Sequence, residues 1–194
     1  MEETEKVVEQ QKADLLILAT HGRRRVTKLL EGSKSEALFR TLAVPVLTVG
    51  PVGNPSLRGF HSILLATDLT PCSFRAAQHA ASLAQEYDAT LTILHVLDAK
   101  TEKEQPGLQA NSLEQMQQLV PQEAEEAEFS CRPSFRTDVG DPADRILAGA
   151  HETVADLVVM SVRHTELADR APWAIASKIV SRATCPVPTV RGRA

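Results

Sequence analysis

Aromatic residues, cysteines and long apolar runs are all scarce in this sequence, and each shortage excludes a class of protein. Phe, Trp and Tyr make up only 4% of the 194 residues, so the core must be built from aliphatic side chains. The three cysteines, Cys72, Cys131 and Cys185, are too widely spaced and too few for a disulfide framework or a zinc site. No stretch approaches the roughly 18–20 apolar residues of a membrane span.

An excess of positive charge is also missing, and so is a signal sequence. The net charge is −4, whereas proteins that bind nucleic acid broadly favour a basic surface. The first residues, Met1 to Lys6, are acidic and lack the apolar middle of a signal peptide. We therefore expect a soluble protein of a reducing cytoplasm, without nucleic-acid or membrane partners.

Short apolar runs alternate with helical segments through most of the chain. Runs such as Leu15–Leu18, Ile63–Thr67 and Leu157–Met160 lack polar alternation, which is typical of strands buried on both faces of a parallel sheet. Short strands joined by helices imply parallel pairing and right-handed crossovers. The sequence thus predicts an α/β fold, with an open, mostly parallel five-stranded sheet and helices on both faces.

A strand–loop–helix–strand unit occurs twice in the sequence. Ala13–Ala19 matches Ala155–Ser161 at an offset of 142, and Val44–Val49 matches Cys185–Val190 at an offset of 141. Because both ends of the unit recur in order, we interpret residues 1–50 as a partial copy that holds only the last helix, strand, helix and strand. Residues 51–60 are rich in Gly and Pro and form a linker, and residues 61–191 form a complete domain.

The loop after the first strand has the chemistry of an anion site. It leaves the carboxyl end of a predicted parallel strand, where open α/β sheets bind ligands. Ala19 and Gly22 are small enough for backbone N–H groups to approach an anion, and Gly32 and Ser33 open a helix whose N-terminus favours phosphate. Arg23 begins a run of three arginines beside it. The alternative is a relic turn followed by a capped helix.

This loop and its flanking strands resemble the universal stress protein family. The nucleotide-binding members of that family carry Gly, two residues, Gly, nine residues, and then Gly-Ser or Gly-Thr. The spacing matches here, with Ala19 in the first position. Further similarities are Ala66-Thr67-Asp68, Leu94-His95-Val96 and Val139-Gly140-Asp141-Pro142. The resemblance covers about residues 2–49 and 61–190, and it implies a nucleotide-binding ancestry for the fold.

The resemblance also implies a nucleotide site whose two sides lie in different copies of the unit. The phosphate side would comprise Ala19, His21, Gly22, Arg23, Gly32, Ser33 and Ser35. The base and ribose side would comprise Ala66, Thr67, Asp68, Val96 and Ser161. In the complete copy the phosphate loop has lost its second Gly and its Gly-Ser pair, and the partial copy lacks the first strand. We therefore expect weakened binding of ATP or AMP, with Mg²⁺ present only as a companion of the nucleotide.

The motifs favour a stress-response binding and regulatory module over an enzyme. The sequence has no Gly-x-Ser-x-Gly, P-loop or paired-carboxylate pattern, so we predict no catalytic residues. His21, His95 and His164 lack a second ligand at metal-binding spacing, so we predict no metal site. Cys72 lies near a helix start and is a weak redox candidate if it is partly exposed. Two alternatives stay open: a competent ATP- or AMP-binding switch, and a slow ATPase.

Asp68 also has two open interpretations. It could face a ligand, or it could bond to backbone N–H groups of its own loop.

Residues 1–50 hold too little core to stand alone, and this predicts how they are held. Because universal stress domains commonly pair through their last strands, we expect Val46–Val49 to pair with Val187–Val190 within the chain. The Leu15–Leu18 strand would keep an open edge, which predicts a homo-oligomer, such as a dimer, through sheet edges. The alternative is that the natural start lies upstream of Met1, in a full tandem protein.

Overall fold

The computed structural model describes residues 2–19, 39, 42–50, 59–104, 107–120, 132–162 and 171–192. The strands of this described part are β1 Leu16–Ala19, β2 Val46–Val49, β3 Ser62–Thr67, β4 Thr90–Leu97, β5 Ser134–Val139, β6 Leu157–Val162 and β7 Val187–Arg191. The helices are α1 Glu2–Gln10, α2 Ser73–Glu86, α3 Ala99–Glu104, α4 Leu108–Leu119, α5 Pro142–Glu152 and α6 Ala171–Arg182. Within these ranges no helix combines the length and the apolar character that a membrane crossing requires.

The seven strands form one sheet in the order β1-β2-β7-β6-β3-β4-β5. The five strands from β7 to β5 run parallel, as the sequence predicts. Within these five strands the chain begins at the central β3, moves outward to β4 and β5, and then returns to β6 on the other side of β3. This reversal creates a topological switch point between β3 and β6, where open α/β sheets place their ligands.

Helices cover both faces of the five parallel strands. Successive residues of a strand point to opposite faces, so Leu64 and Ala66 of β3 pack in one layer with α5 and α6, and Ile63 and Leu65 pack in the other with α2 and α4. The sheet-facing side of α2 consists of small residues, which bring the helix close to the sheet: Ala76, Ala77, Ala80, Ala81 and Ala84. Phe74 does not belong to this side, because 42% of its surface is exposed.

The start of α2 differs from the one that the sequence predicts. Thr70 and Pro71 have the residue types of an N-cap and a first helical residue, but α2 begins at Ser73. A turn precedes it, in which the Ser73 N–H donates to the Thr70 carbonyl at 2.9 Å. The N-cap residue is Cys72, which makes no side-chain cap bond, and the Thr70 hydroxyl donates to Asp68 at 2.6 Å.

β2 joins the parallel strands through antiparallel pairing with β7. Val46 lies opposite Thr189 and Thr48 opposite Val187, and the Thr189 hydroxyl donates to the Val46 carbonyl at 3.2 Å. The predicted pairing of these two segments within one chain is therefore confirmed. β1 then pairs with β2 in parallel and ends the sheet on this side.

β1 is not buried on both faces, contrary to the prediction from its apolar run. Leu16 and Leu18 pack against the core on one side, but Leu15 is 43% and Ile17 is 59% exposed. An apolar run is buried on both faces only where both faces are covered. β6 meets that condition, because α2 lies over the residue that matches Ile17, Val159.

The two segments that match in sequence also share local geometry. α1 and α5 are each followed by a non-glycine residue with left-handed backbone, Lys12 at φ 48° and Val154 at φ 50°. These two residues are equivalent in the sequence match. The strands that follow have the same parallel register, with equivalent residues opposite each other. These pairs are Leu18 with Thr48 and Met160 with Thr189.

Candidate functional site

The residues predicted for the base and ribose side lie at the carboxyl ends of three neighbouring strands of the sheet, β3, β4 and β6. Ala66 and Thr67 close β3 and are almost fully buried, and Asp68 follows them with an exposed side chain. Val96 lies half-buried near the end of β4, and Ser161 lies near the end of β6. These strands flank the switch point, so the structure brings the predicted residues to the edge where a ligand is expected.

The Asp68 carboxylate organises the loop between β3 and α2. Its Oδ1 atom accepts the Thr70 N–H at 3.1 Å, the Thr70 hydroxyl at 2.6 Å and the Ser73 hydroxyl at 2.6 Å. Hydrogen bonds to a charged group contribute about 1.5–3 kcal/mol each. Asp68 therefore holds its own loop, which is one of its two open interpretations, and it does so from an exposed position at the switch point.

Ser73 connects this loop to β6, and the sequence alone does not predict it. The side chain is fully buried, and its Oγ lies 3.1 Å from Ser161 Oγ as well as within bonding distance of Asp68. A hydroxyl residue at the first position of α2 is the only trace of this role in the sequence. The hydrogen bonds that join Asp68 to Ser73 and Ser73 to Ser161 cross the switch point. They fix the distance between the loop after β3 and the end of β6.

The imidazole of His95 supports the same loop from β4. Its Nδ1 lies 2.8 Å from the carbonyl oxygen of Thr67, its partner across the β3–β4 ladder. The Thr67 hydroxyl in turn accepts the N–H of Leu69, whose backbone is left-handed at φ 58°. Five residues of the segment from Thr67 to Ser73 thus take part in these hydrogen bonds.

The phosphate side of the predicted site is described at one residue only. Of its predicted residues the structure describes only Ala19, and His21, Gly22, Arg23, Gly32, Ser33 and Ser35 lie outside the described residues. β2 runs antiparallel to β7, and β1 runs parallel to β2, so β1 is antiparallel to β3. Ala19 therefore lies at the opposite edge of the sheet from Asp68, about four strand spacings or ~19 Å away across the strands. Ala19 and Asp68 therefore do not share one cleft.

The Val139-Gly140-Asp141-Pro142 segment starts a helix. Gly140 has φ 142°, and the Asp141 Oδ1 atom accepts the Asp144 N–H at 3.0 Å as the N-cap of α5. Pro142 takes the first helical position, where its missing N–H costs nothing. The hydrogen bond from Asp144 holds the pKa of Asp141 below its ordinary value, and the Lys178 ammonium adds to this effect.

Four charged residues form an ionic cluster between β5 and α5. Asp138, near the end of β5, is 9% exposed and accepts two hydrogen bonds from Arg136, at 3.1 and 2.9 Å. Arg145 adds an ion pair at 3.3 Å, and Arg136 also bonds to Glu152. The hydrogen bonds to Asp138 and Glu152 raise the pKa of Arg136. The cluster ties β5 to α5 rather than presenting free charge to a ligand.

The described thiols are poor candidates for chemistry. Cys72 is only 9% exposed, so the expectation of a partly exposed thiol is wrong. The chain end covers it, because a Cβ added at Gly192 would collide with Cys72, whose carbonyl oxygen would lie 2.6 Å away. Burial, reinforced by the Asp156 carboxylate, raises the pKa of Cys185 to about 11. Within the described ranges no three His, Cys, Asp or Glu side chains cluster as metal ligands would.

Comparison with known proteins places this geometry in a family. The model of the universal stress protein family matches residues 2–50 and 59–191. A universal stress protein of Methanocaldococcus jannaschii is 28% identical over 142 residues, which cover 68% of this chain and 82% of that protein.

Solved structures share the fold. A universal stress protein from Archaeoglobus fulgidus superposes with a TM-score of 0.70 at 20% identity, over 96% of this chain and 64% of that one. This chain thus spans just under two thirds of that structure's length. A universal stress protein in complex with cAMP superposes with a TM-score of 0.52 at 23% identity, over 68% of this chain and 97% of that one. Since the family model matches nearly the whole sequence, the chain belongs to the universal stress protein family.

Proposed function

We propose that this chain is a cytoplasmic stress-response binding and regulatory module that binds an adenine nucleotide weakly. The site is the edge formed by the ends of β3, β4 and β6. The observation that carries the proposal is the exposed Asp68 at the switch point, braced by Ser73 and Ser161. The solved relative in complex with cAMP supports an adenine nucleotide as the ligand class.

Weak binding is proposed because Asp68 is already occupied. A ribose hydroxyl that bonds to Oδ1 must compete with three donors from Thr70 and Ser73. The complete domain also lacks the Gly-Ser pair of the phosphate loop, so the phosphates gain little from it. A dissociation constant on the order of a millimolar, about −4 kcal/mol, is consistent with such a site.

Calorimetry with AMP, ATP and cAMP tests where the nucleotide binds. We expect Asp68→Ala to abolish the binding heat because it removes the ribose acceptor, and Gly32→Asp to leave it unchanged. Asp156→Ala is the matched control, since Asp156 also accepts two loop N–H groups but lies at the amino end of β6. The reverse pattern would assign the site to the first loop and support a competent switch. An absence of heat at millimolar nucleotide in every variant would leave only a module that binds other proteins.

We propose no enzymatic activity for the site. The Asp68 oxygen that faces the loop accepts hydrogen bonds from two hydroxyls, which lowers its ability to take a proton from a reacting water. A phosphate-release assay with ATP and Mg²⁺ should therefore give no more product than buffer. Sustained release that Gly32→Asp removes would support the slow ATPase instead.

We also propose a tandem organisation, with a partial universal stress domain at residues 1–50, a linker at 51–60 and a complete domain at 61–191. The shared helix ends and the shared strand registers support this division. So does the antiparallel junction of β2 and β7, in which Leu47 lies opposite its own equivalent, Pro188. Such self-equivalent pairing is typical of an interface with two-fold symmetry.

Self-association through β1 is the partner interaction that we propose. β1 ends the sheet, and Ile17 and Leu15 remain 59% and 43% exposed on it. An apolar strand at a sheet edge pairs readily with another chain. We expect sedimentation at tens of micromolar to show a dimer, and Ile17→Lys to shift it to monomer. Leu113→Lys, on α4 near the other end of the sheet, should leave the dimer intact. A wild-type protein that stays strictly monomeric would rule out the proposal.

A further inference from the structure

The hydrogen bond between His95 and Thr67 has a defined direction. Nδ1 lies 2.8 Å from a carbonyl oxygen, which can only accept. The imidazole must therefore carry its proton on Nδ1, and Nε2 of the neutral ring is an acceptor. The half-buried ring lies at the carboxyl end of β4, one residue before Val96.

This bond acts at the point where β3 leaves the sheet. Thr67 and His95 form the last pair of the β3–β4 ladder, and the pairing with β6 ends one residue earlier, at Ala66. Beyond Thr67 the backbone turns sharply, with Leu69 in the left-handed region. The hydrogen bond from His95 Nδ1 to the Thr67 carbonyl oxygen fixes the plane of the peptide that joins Thr67 to Asp68.

We propose that His95 is a positioning residue for the nucleotide site, a role that rests on the proposed function. It holds the Thr67 carbonyl through Nδ1–H, and through it sets the direction of the Asp68 carboxylate relative to Val96. The same ring thus couples β3 and β4, two of the three strands that carry the predicted base and ribose contacts. His95 does not contact the nucleotide in this role.

Two amide variants separate this role from simple packing. The side-chain amide nitrogen of Asn lies two bonds from Cβ, at the same distance along the side chain as Nδ1 of His. The amide nitrogen of Gln lies three bonds from Cβ, as Nε2 of His does. We expect His95→Asn to bind AMP within twofold of the unmodified protein. We expect His95→Gln to bind roughly three- to tenfold more weakly, the loss that one hydrogen bond predicts. Thermal melts of the two variants show whether both are folded.

Two readouts on the nucleotide-free protein complete the experiment. Nitrogen NMR of the unmodified protein should show the proton on Nδ1, and a ring protonated only on Nε2 would overturn the proposal. Amide exchange at Leu69 and Thr70 should accelerate in His95→Gln and not in His95→Asn. Equal exchange in the two variants would also overturn it. If this exchange pattern holds but the unmodified protein binds no AMP, ATP or cAMP, the proposed function fails while the hold of His95 on the loop stands.

Discussion

Val46→Asp should release β1 and β2 from the sheet. Val46 is 2% exposed, lies opposite Thr189 and packs in the core that α6 covers. A carboxylate at this position would be buried in a cluster of apolar side chains. We expect a cost of at least about 4 kcal/mol, because burying an unpaired charge is among the most destabilising of single changes.

The damage should stay local because the junction is narrow. Three residue pairs join β2 to β7, whereas β7 keeps its parallel ladder with β6. The core of the five parallel strands retains its own helices on both faces. Proteins often open in such contiguous units, with free energies well below that of global unfolding.

Amide exchange and limited proteolysis measure this release. We expect the β1 and β2 amides, such as that of Thr48, to lose protection, and a protease to leave a stable fragment that begins near Gly59. Ile17→Asp is the matched control, because the same charge enters the neighbouring strand at an exposed position. If all seven strands lose protection together, residues 1–50 and 61–191 are one cooperative unit and the proposed division is wrong.

The sequence predicts the fold of this chain well because the repeat and the buried runs are local signals. It fails where burial depends on a neighbour. Leu15–Leu18 and Leu157–Met160 are both wholly apolar, yet Ile17 is exposed while Val159 is fully buried. The difference arises from α2, which covers β6 and not β1. The local sequence of β1 does not indicate whether a helix covers its second face.

The site is predictable in part for a similar reason. Asp68 is predicted from the family resemblance of the segment Ala66-Thr67-Asp68. Ser73 and His95 act through contacts between elements, so their residue types carry little signal. The pairing direction matters most. Because β2 is antiparallel to β7, the end of β1 faces the opposite edge, and Ala19 is separated from Asp68. The sequence match assigns the two residues to different copies of the unit, but it carries no information on the pairing direction that separates them.

Leu64→Ala and Leu65→Ala should each destabilise the whole five-stranded unit. Both side chains are fully buried in β3, the strand that pairs with β4 on one side and β6 on the other. Truncation leaves a cavity, and the cost in such cores is about 2–5 kcal/mol. We expect Leu65→Ala to lie near the upper end, since the α2 side chains over it are alanines, which cannot move to fill the space.

The two variants also distinguish stability from site geometry. Leu65 supports the layer of α2, whose first residue, Ser73, bonds to Asp68, whereas Leu64 supports the opposite layer. In urea denaturation both midpoints should fall, and that of Leu65→Ala should fall further, but only Leu65→Ala should also weaken AMP binding measured under folded conditions. Ile179→Ala, in the Leu64 layer and equally buried, should repeat the Leu64 result. Equal loss of AMP affinity in all three variants would mean that the site responds to global stability and not to the position of α2.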